Sequence, residues 1–266
     1  MSGLPLIGST DPWSGGEVTA RLRCVLAPNP SPMTLDGTNT WVVGTGPYAV
    51  IDPGPDDAGH LAAVVAAAHG QIAQILLTHG HLDHSEGARA LHDLSGAPVR
   101  ALDPDHVLGG EGLIAGMVVA AGDVEVHVLA TPGHTSDCLS FHVSDDGAIL
   151  TGDTVLGRGT TVVAWPDGHL GDYLRSLHDL RRHAAESGAT RLLPGHGPVL
   201  ADPVNVIDAY LEHRRARLDQ VRAVWDGGRR SPEDIVDEVY VDIADNVRAA
   251  ALLSTRAQVA YLESGG

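Results

Sequence analysis

A mostly apolar run at residues 72–77, with Gln74 as its one polar residue, is followed closely by several metal-capable side chains. A nearly continuous apolar run of this length is typical of a strand that is buried on both faces. The segment after it carries the pattern HxHxDH at 79–84 and leads into a helical pattern. Side chains on a loop that leaves a rigid strand are well placed to share one site. The sequence therefore predicts an α/β arrangement with a polar site at a strand end.

Strand-like and helix-like patterns alternate along most of the chain. The predicted strands are 21–26, 41–51 with a turn at 44–47, 72–77, 99–102, 118–130, 138–144, 148–150 and 191–193. The predicted helices in this part are 56–69, 84–95 and 171–187, each followed by a glycine. Beyond about residue 205 the pattern is helical, with predicted helices at 206–225, from 232 onward after the N-cap Ser231, and at 244–262. We predict a catalytic domain at 1–210 and a small all-helical domain at 211–266.

Charge and composition exclude several classes of protein. The chain has 266 residues, a net charge of −17 and no lysine, which excludes lysine-based catalysis. So acidic a chain is a poor candidate for binding duplex DNA, because phosphate contacts need clustered cations. The longest apolar stretch, 61–68, is far shorter than the roughly 20 residues that a membrane span needs. With no signal-peptide pattern at its start, the protein is expected to be cytoplasmic, with no membrane partner.

Three more metal-capable side chains follow small-residue turns at predicted strand ends. They are His134 in the motif GH, Asp153 in GD and His196 in GHG. A single histidine is more often a core or surface residue than a ligand, but chance does not explain the ordered series of four motifs. This series resembles the metallo-β-lactamase superfamily.

The resemblance implies a four-layer αβ/βα sandwich that holds two metal ions in a cleft at one edge. Carried over residue by residue, it assigns His79, His81 and His134 to the first metal, Asp83, His84 and His196 to the second, and Asp153 as the bridge between them. Two dications with such ligands lower the pKa of a bridging water, so a hydroxide is expected as the nucleophile. Asp83 and Asp153 are the catalytic carboxylates in this scheme. Imidazole and carboxylate ligands suit two Zn²⁺, and iron or manganese also fits.

Other candidates have two interpretations each. The resemblance makes Asp52 a partner that orients the HxHxDH loop, although a simple turn residue is the alternative. Asn39 either donates to a substrate oxygen or fixes its turn. Arg158 and Thr160 follow the bridging Asp153 closely, so Arg158 either binds an anionic substrate group or is a solvated loop residue.

Three further segments indicate a resemblance to one subgroup of this superfamily. Residues 29–41, 152–161 and 231–236 are similar to the β-lactamase-like-2 subgroup, which lies between glyoxalase II and the metallo-β-lactamase-type ribonucleases. The resemblance implies a C-terminal winged-helix-like domain, although the tail is too short for the wing strands.

The subgroup resemblance leaves three hypotheses open. The first is an endoribonuclease that cleaves a phosphodiester in single-stranded RNA, which the arginines of the tail helix and Arg158 slightly favour. The second is a thioester hydrolase of the hydroxyacylglutathione hydrolase type, a thioesterase with β-lactam cleavage as a side activity. The third is a non-catalytic binding module. The expected partner is a single-stranded RNA or a small thioester, and a homodimer is compatible with the sequence.

Overall fold

Strand pairing divides the chain into two sheets that face each other. The computed structural model describes residues 8, 9, 11–241, 243 and 245–266, and within these residues each sheet has six strands. The first sheet contains, in spatial order, β1 (Gly16–Thr19), β2 (Leu22–Leu26), β3 (Asn39–Val43), β4 (Tyr48–Ile51), β5 (Ile72–Leu76) and β6 (Val99–Arg100). The second contains β7 (Val118–Ala121), β8 (Val124–Ala130), β9 (Leu139–Val143), β10 (Ala148–Gly152), β11 (Arg191–Pro194) and β12 (Leu200–Ala201). Both sheets are mixed, because β4, β5 and β6 run parallel, as do β10 and β11, while the other neighbours are antiparallel.

Helices cover the outer faces of both sheets. Their bounds are α1 (Ala58–Ala67), α2 (Leu82–Ser85), α3 (Ala88–Ser95), α4 (Leu170–Ser187), α5 (Pro203–Asp226), α6 (Pro232–Val239) and α7 (Asp245–Glu263). Helices α1 and α3 pack on the first sheet, α4 and α5 pack on the second, and α7 packs against α4 and α5. Between the sheets lies a third core that includes Trp41 and Phe141. These layers confirm the predicted αβ/βα sandwich.

Two predicted elements are each divided in the structure. The helix predicted at 84–95 is α2 followed by α3, because Gly87 donates its N–H to Gly54 O at 2.9 Å and so leaves the first helix. A Cβ at position 87 would lie 2.9 Å from Pro55 O, which explains the glycine at this close approach. The strand predicted at 118–130 is the hairpin of β7 and β8. The edge strands β1 and β12 were not predicted.

Helix α5 crosses the predicted domain boundary at 210/211 without a break. Its residues Ile207, Tyr210 and Leu218 share a core with Ile149 of the second sheet. The division into two domains and the winged-helix likeness of the C-terminal part therefore stay predictions. None of the helices among the described residues is long and apolar enough to cross a membrane.

Gly133 precedes His134 and lies against the backbone of α4. A Cβ at this position would lie 2.3 Å from both the N and Cα atoms of Tyr173, and the φ of Gly133 is +136°. We expect Gly133→Ala to lower the free energy of unfolding by roughly 2–4 kcal/mol through overpacking and backbone strain. Urea denaturation of metal-free protein measures this change.

Gly188, at the end of α4, provides the control for this prediction. It is also left-handed, at φ +69°, but has no atom within 4 Å of an added Cβ. Gly188→Ala should cost only about 1–2 kcal/mol of backbone strain. An equal loss of unfolding free energy in the two variants would contradict the close approach of Gly133 to α4.

Candidate metal centre

The candidate ligands lie on four loops at one edge of the sandwich. His79 and His81 follow β5, with Asp83 and His84 in the short helix α2. His134 follows β8, Asp153 follows β10 and His196 follows β11. Side chains that are far apart in the chain, and that come from both sheets, therefore converge on one cluster.

One half of the cluster consists of His79, His81 and His134. His81 Nδ1 lies 3.0 Å from His79 Nε2 and 3.1 Å from His134 Nε2. The three nitrogens lie close enough to act as ligands of a single ion. The structure thus brings together the three residues that the resemblance assigns to the first metal.

The other half consists of Asp83, His84 and His196, and Asp153 lies between the halves. His84 Nε2 and His196 Nε2 are 3.1 Å apart, and Asp83 Oδ2 lies 3.2 Å from His196 Nε2. Asp153 Oδ1 is 3.4 Å from both of these nitrogens, and its Oδ2 is 3.7 Å from His134 Nε2. The Asp153 carboxylate therefore has one oxygen toward each half, as a bridging ligand requires.

Asp52 orients two of the histidines from behind the cluster. His84 Nδ1–H donates to Asp52 Oδ2 at 2.9 Å. Thr78 donates both its backbone N–H, at 2.8 Å, and its hydroxyl, at 2.7 Å, to the same carboxylate. The Thr78 hydroxyl oxygen lies 3.0 Å from His79 Nδ1 and can accept a hydrogen bond from its N–H group. This arrangement places a proton on Nδ1 of both rings, so Nε2 is the nitrogen that each ring turns toward the cluster.

Backbone carbonyls orient two other histidines in the same way. His134 Nδ1–H donates to Val162 O at 2.6 Å, and His196 Nδ1–H donates to Gly37 O at 3.2 Å. The Thr161 hydroxyl also lies 3.2 Å from His134 Nδ1. Such outer contacts are the usual support of metal-binding imidazoles.

The electrostatics of the cluster favour positive charge. Burial would raise the pKa of Asp153, but His196 and His84 outweigh burial and hold that pKa well below its usual value. Burial would lower the pKa of His196, but chiefly Asp153 raises it to about 9. Burial together with the neighbouring His84 holds the pKa of His79 well below its usual value. Asp153 is therefore ionised and His79 is neutral, as metal binding requires, whereas a metal at His196 would displace a proton.

Two further observations fit a bound cation. Asp153 Oδ1 is buried and has no hydrogen-bond partner among the described residues, which is costly unless another group satisfies it. A Cβ at Gly195 would lie 2.6 Å from this oxygen and 2.7 Å from His84 Cε1. The glycine thus leaves room around the carboxylate, and the donor set of imidazoles and carboxylates suits divalent transition metals.

The predicted substrate contacts are mostly engaged within the protein. The buried Asn39 amide donates to Pro194 O and Gly197 O at 2.9 and 2.8 Å, and its oxygen accepts from Trp13 Nε1 at 2.8 Å. The structure therefore favours the turn-fixing interpretation of Asn39.

Arg158 has internal partners as well. Its guanidinium donates to Asp36 Oδ2 at 2.7 Å and to the backbone oxygens of Ser9 and Asp11 at 2.8 and 3.0 Å. Thr160 is half-buried in the same loop. Substrate contacts by Arg158 and Thr160 remain predictions.

The role of Thr78 was not predicted from the sequence, nor was the contact of Thr161 with His134. Both hydroxyls contact histidines of the cluster. The position of Thr78, directly before the HxHxDH motif, is a signal that could have identified it. The signal for Thr161 is weaker, because 27 residues separate it from His134.

Comparison with known proteins agrees with this geometry. A model of the metallo-beta-lactamase superfamily matches residues 33–196. The chain belongs to this superfamily, and it is an enzyme of the hydrolase class. A solved metallo-beta-lactamase family protein from Thermus thermophilus has the same fold, with a TM-score of 0.79 and 22% identity over 94% of this chain and 95% of that chain.

Two proteins with similar sequences give information beyond the fold. The beta-lactamase-like protein 2 homolog of Caenorhabditis elegans is 34% identical over 241 residues, which are 86% of this chain and 79% of that protein. An atrochrysone carboxyl ACP thioesterase of Aspergillus fumigatus is 33% identical over 229 residues, 83% of this chain and 70% of that protein. The first relative confirms the resemblance to the β-lactamase-like-2 subgroup.

Asp52→Asn tests the orientation of the cluster. The amide oxygen can still accept from the Thr78 N–H, but the NH₂ group then faces His84 Nδ1. This change favours the His84 tautomer with its proton on Nε2, toward the cluster. We expect the affinity for zinc to fall by about 10–100-fold, as for other outer partners of metal-binding histidines, measured by competition with a chelator.

Asp57→Asn is the matched control. Asp57 caps α1 by accepting from His60 N at 2.7 Å, and asparagine caps helices equally well. The Asp57→Asn protein should bind zinc with the affinity of the wild type. Unchanged affinity in Asp52→Asn would contradict the role of Asp52.

Proposed function

We propose that this enzyme is a thioester hydrolase that holds two divalent metal ions, most suitably zinc. The first ion would be held by His79, His81 and His134, and the second by His84, His196 and Asp83, with Asp153 shared between them. The metals would supply Lewis acidity and lower the pKa of a coordinated water. The chain's own contribution is to keep these carboxylates ionised and to fix the orientation of the imidazoles.

The observation that carries the choice of thioester is the character of the loops around the cluster. Leu82, between two candidate ligands, is 69% exposed. Met33 is 52% exposed on the turn that ends at Gly37, whose carbonyl accepts from His196. Trp165 is 38% exposed on the loop whose Val162 contacts His134. Exposed apolar side chains on these three loops suit an apolar acyl group better than a polyanionic chain.

Most of the arginines that would favour RNA are buried or already have partners. Arg158 is paired with Asp36, and Arg214 is buried. On the same helix Arg217 lies over the Tyr240 ring at 4.2 Å, and Arg222 donates to Gly266 O at 3.0 Å. Binding of RNA depends on cations that neutralise phosphates, so the net charge of −17 supports a less charged substrate. The thioesterase activity named for the Aspergillus relative supports the same choice.

The first test compares substrates on metal-loaded protein. We expect about two zinc equivalents per chain by elemental analysis, and hydrolysis of an acyl-N-acetylcysteamine thioester well above that of a single-stranded RNA oligomer. Asp153→Ala should lose at least about a hundredfold in kcat/KM, because it removes the carboxylate that contacts both halves of the cluster.

The control for this loss is Asp93→Ala, which removes an exposed carboxylate from α3. It should retain wild-type turnover, and circular dichroism should show both variants folded. RNA cleavage that exceeds thioester cleavage and is lost in Asp153→Ala would replace the thioester proposal with the ribonuclease one.

Leu82→Asn tests the apolar contact with the acyl group. Partial burial of a leucine by substrate contributes about 1 kcal/mol, so kcat/KM for a long-chain acyl thioester should fall about fivefold while an acetyl thioester is unaffected. Leu94→Asn, which changes a leucine of similar exposure (66%) on α3, is the control. Equal effects on the long and short acyl substrates would contradict the contact.

A further inference from the structure

Side chains of α4 and α5 hold the segment 154–161, which follows Asp153. The Tyr173 hydroxyl of α4 donates to Thr154 O at 2.8 Å. The Tyr210 hydroxyl of α5 accepts from the backbone N–H of Leu156 at 2.8 Å. Both tyrosines are fully buried. The beginning of this segment is therefore fixed to the two helices that cover the second sheet.

Arg214 of α5 holds the end of the same segment. Its guanidinium donates to Thr161 O and lies 4.9 Å from the centre of the Tyr173 ring. The side chain is only 7% exposed, and its Nε atom has no partner among the described residues. No carboxylate of the described residues lies within 4.0 Å of it. A buried cation without a counter-charge is costly, so Arg214 is unusual among the arginines of α5.

The carbonyl held by Arg214 adjoins the contacts of a candidate metal ligand. The hydroxyl of Thr161 itself lies 3.2 Å from His134 Nδ1, and the next carbonyl, Val162 O, accepts from that nitrogen at 2.6 Å. One continuous set of contacts thus leads from α5 through Thr161 and Val162 to His134. A shift of the loop by a few tenths of an ångström would lengthen the hydrogen bond that fixes the imidazole.

We propose that Arg214 is a positioning residue of the metal centre: by holding Thr161 O, it keeps Val162 O on His134 Nδ1 and so directs His134 Nε2 toward the cluster. Helix α5 is then part of the support of the metal centre and not only a cover for the second sheet. Arg215, the next residue, is exposed. It carries the same charge on the same helix without access to the loop.

The test measures zinc affinity by competition with a chelator in the full-length protein. Arg214→Met keeps most of the side-chain volume and removes the donor, and we expect it to weaken zinc binding about tenfold, the lower end of the range for outer contacts of metal ligands. Arg214→Lys keeps a donor for Thr161 O and should restore part of the affinity. Arg215→Met should bind zinc as the wild type does.

A spectroscopic readout separates positioning from general stability. In the zinc-loaded protein, the proton on His134 Nδ1 gives a downfield NMR signal that His134→Ala identifies by its loss. This signal should shift or exchange faster in Arg214→Met and stay unchanged in Arg215→Met. Arg214→Gln, which lacks the guanidinium but is polar, replaces Arg214→Met if the latter does not fold.

The inference rests on the proposed metal centre, and the two can fail separately. A wild-type protein that binds no zinc would overturn the metal centre. If the wild type binds zinc and a folded Arg214→Met or Arg214→Gln protein shows the same affinity and the same His134 signal, only the role of Arg214 is overturned. An Arg214→Lys protein as weak as Arg214→Met would overturn the assigned hydrogen bond to Thr161 O.

Discussion

The candidate site depends on the hydrogen bonds that join the two sheets at one edge. The backbone N–H of Asn39, at the start of β3, donates to Gly195 O at 2.7 Å, and its side chain donates to Pro194 O and Gly197 O. Trp41 Nε1 adds a bond to Pro194 O at 3.0 Å. The apolar core between the sheets is non-directional and sets only their separation. These directed bonds set the position of the His196 loop relative to the first sheet, whose strand β5 leads into His79, His81 and His84.

The second feature that shapes this edge is the backbone conformation of Asp52. Its φ is +53°, a left-handed conformation that is uncommon for a residue other than glycine. Aspartate tolerates this conformation better than most residues, and here it turns the carboxylate back toward Thr78 and His84. The strain is therefore located where three hydrogen bonds to one side chain offset it.

The sequence predicted the layers of the fold and the residues that converge, but not the contacts that position them. Spaced motifs and strand patterns identify the cluster because each of the four motifs comes at or shortly after the end of a strand. The partners of Asn39 and Arg158 could not be predicted, because they are mainly backbone atoms brought near only by the packing of the sheets. The burial of Arg214 was predictable from its spacing, because it lies on the stripe of α5 that buries Tyr210 and Leu218. An arginine on an apolar stripe indicates a buried contact, whereas its neighbours on the polar face are solvated.

The carboxylates of Asp153 and Asp52 explain why the cluster stabilises positive charge. Burial alone would keep imidazoles neutral and would protonate carboxylates. Asp153 reverses this for His84, whose pKa burial would lower but Asp153 and then Asp52 raise well above its usual value. Without a metal, protons are therefore held between the same nitrogens and oxygens that would face a dication. A divalent cation would replace these protons beside Asp153, and because its ligands come together only in the folded chain, it would stabilise the fold.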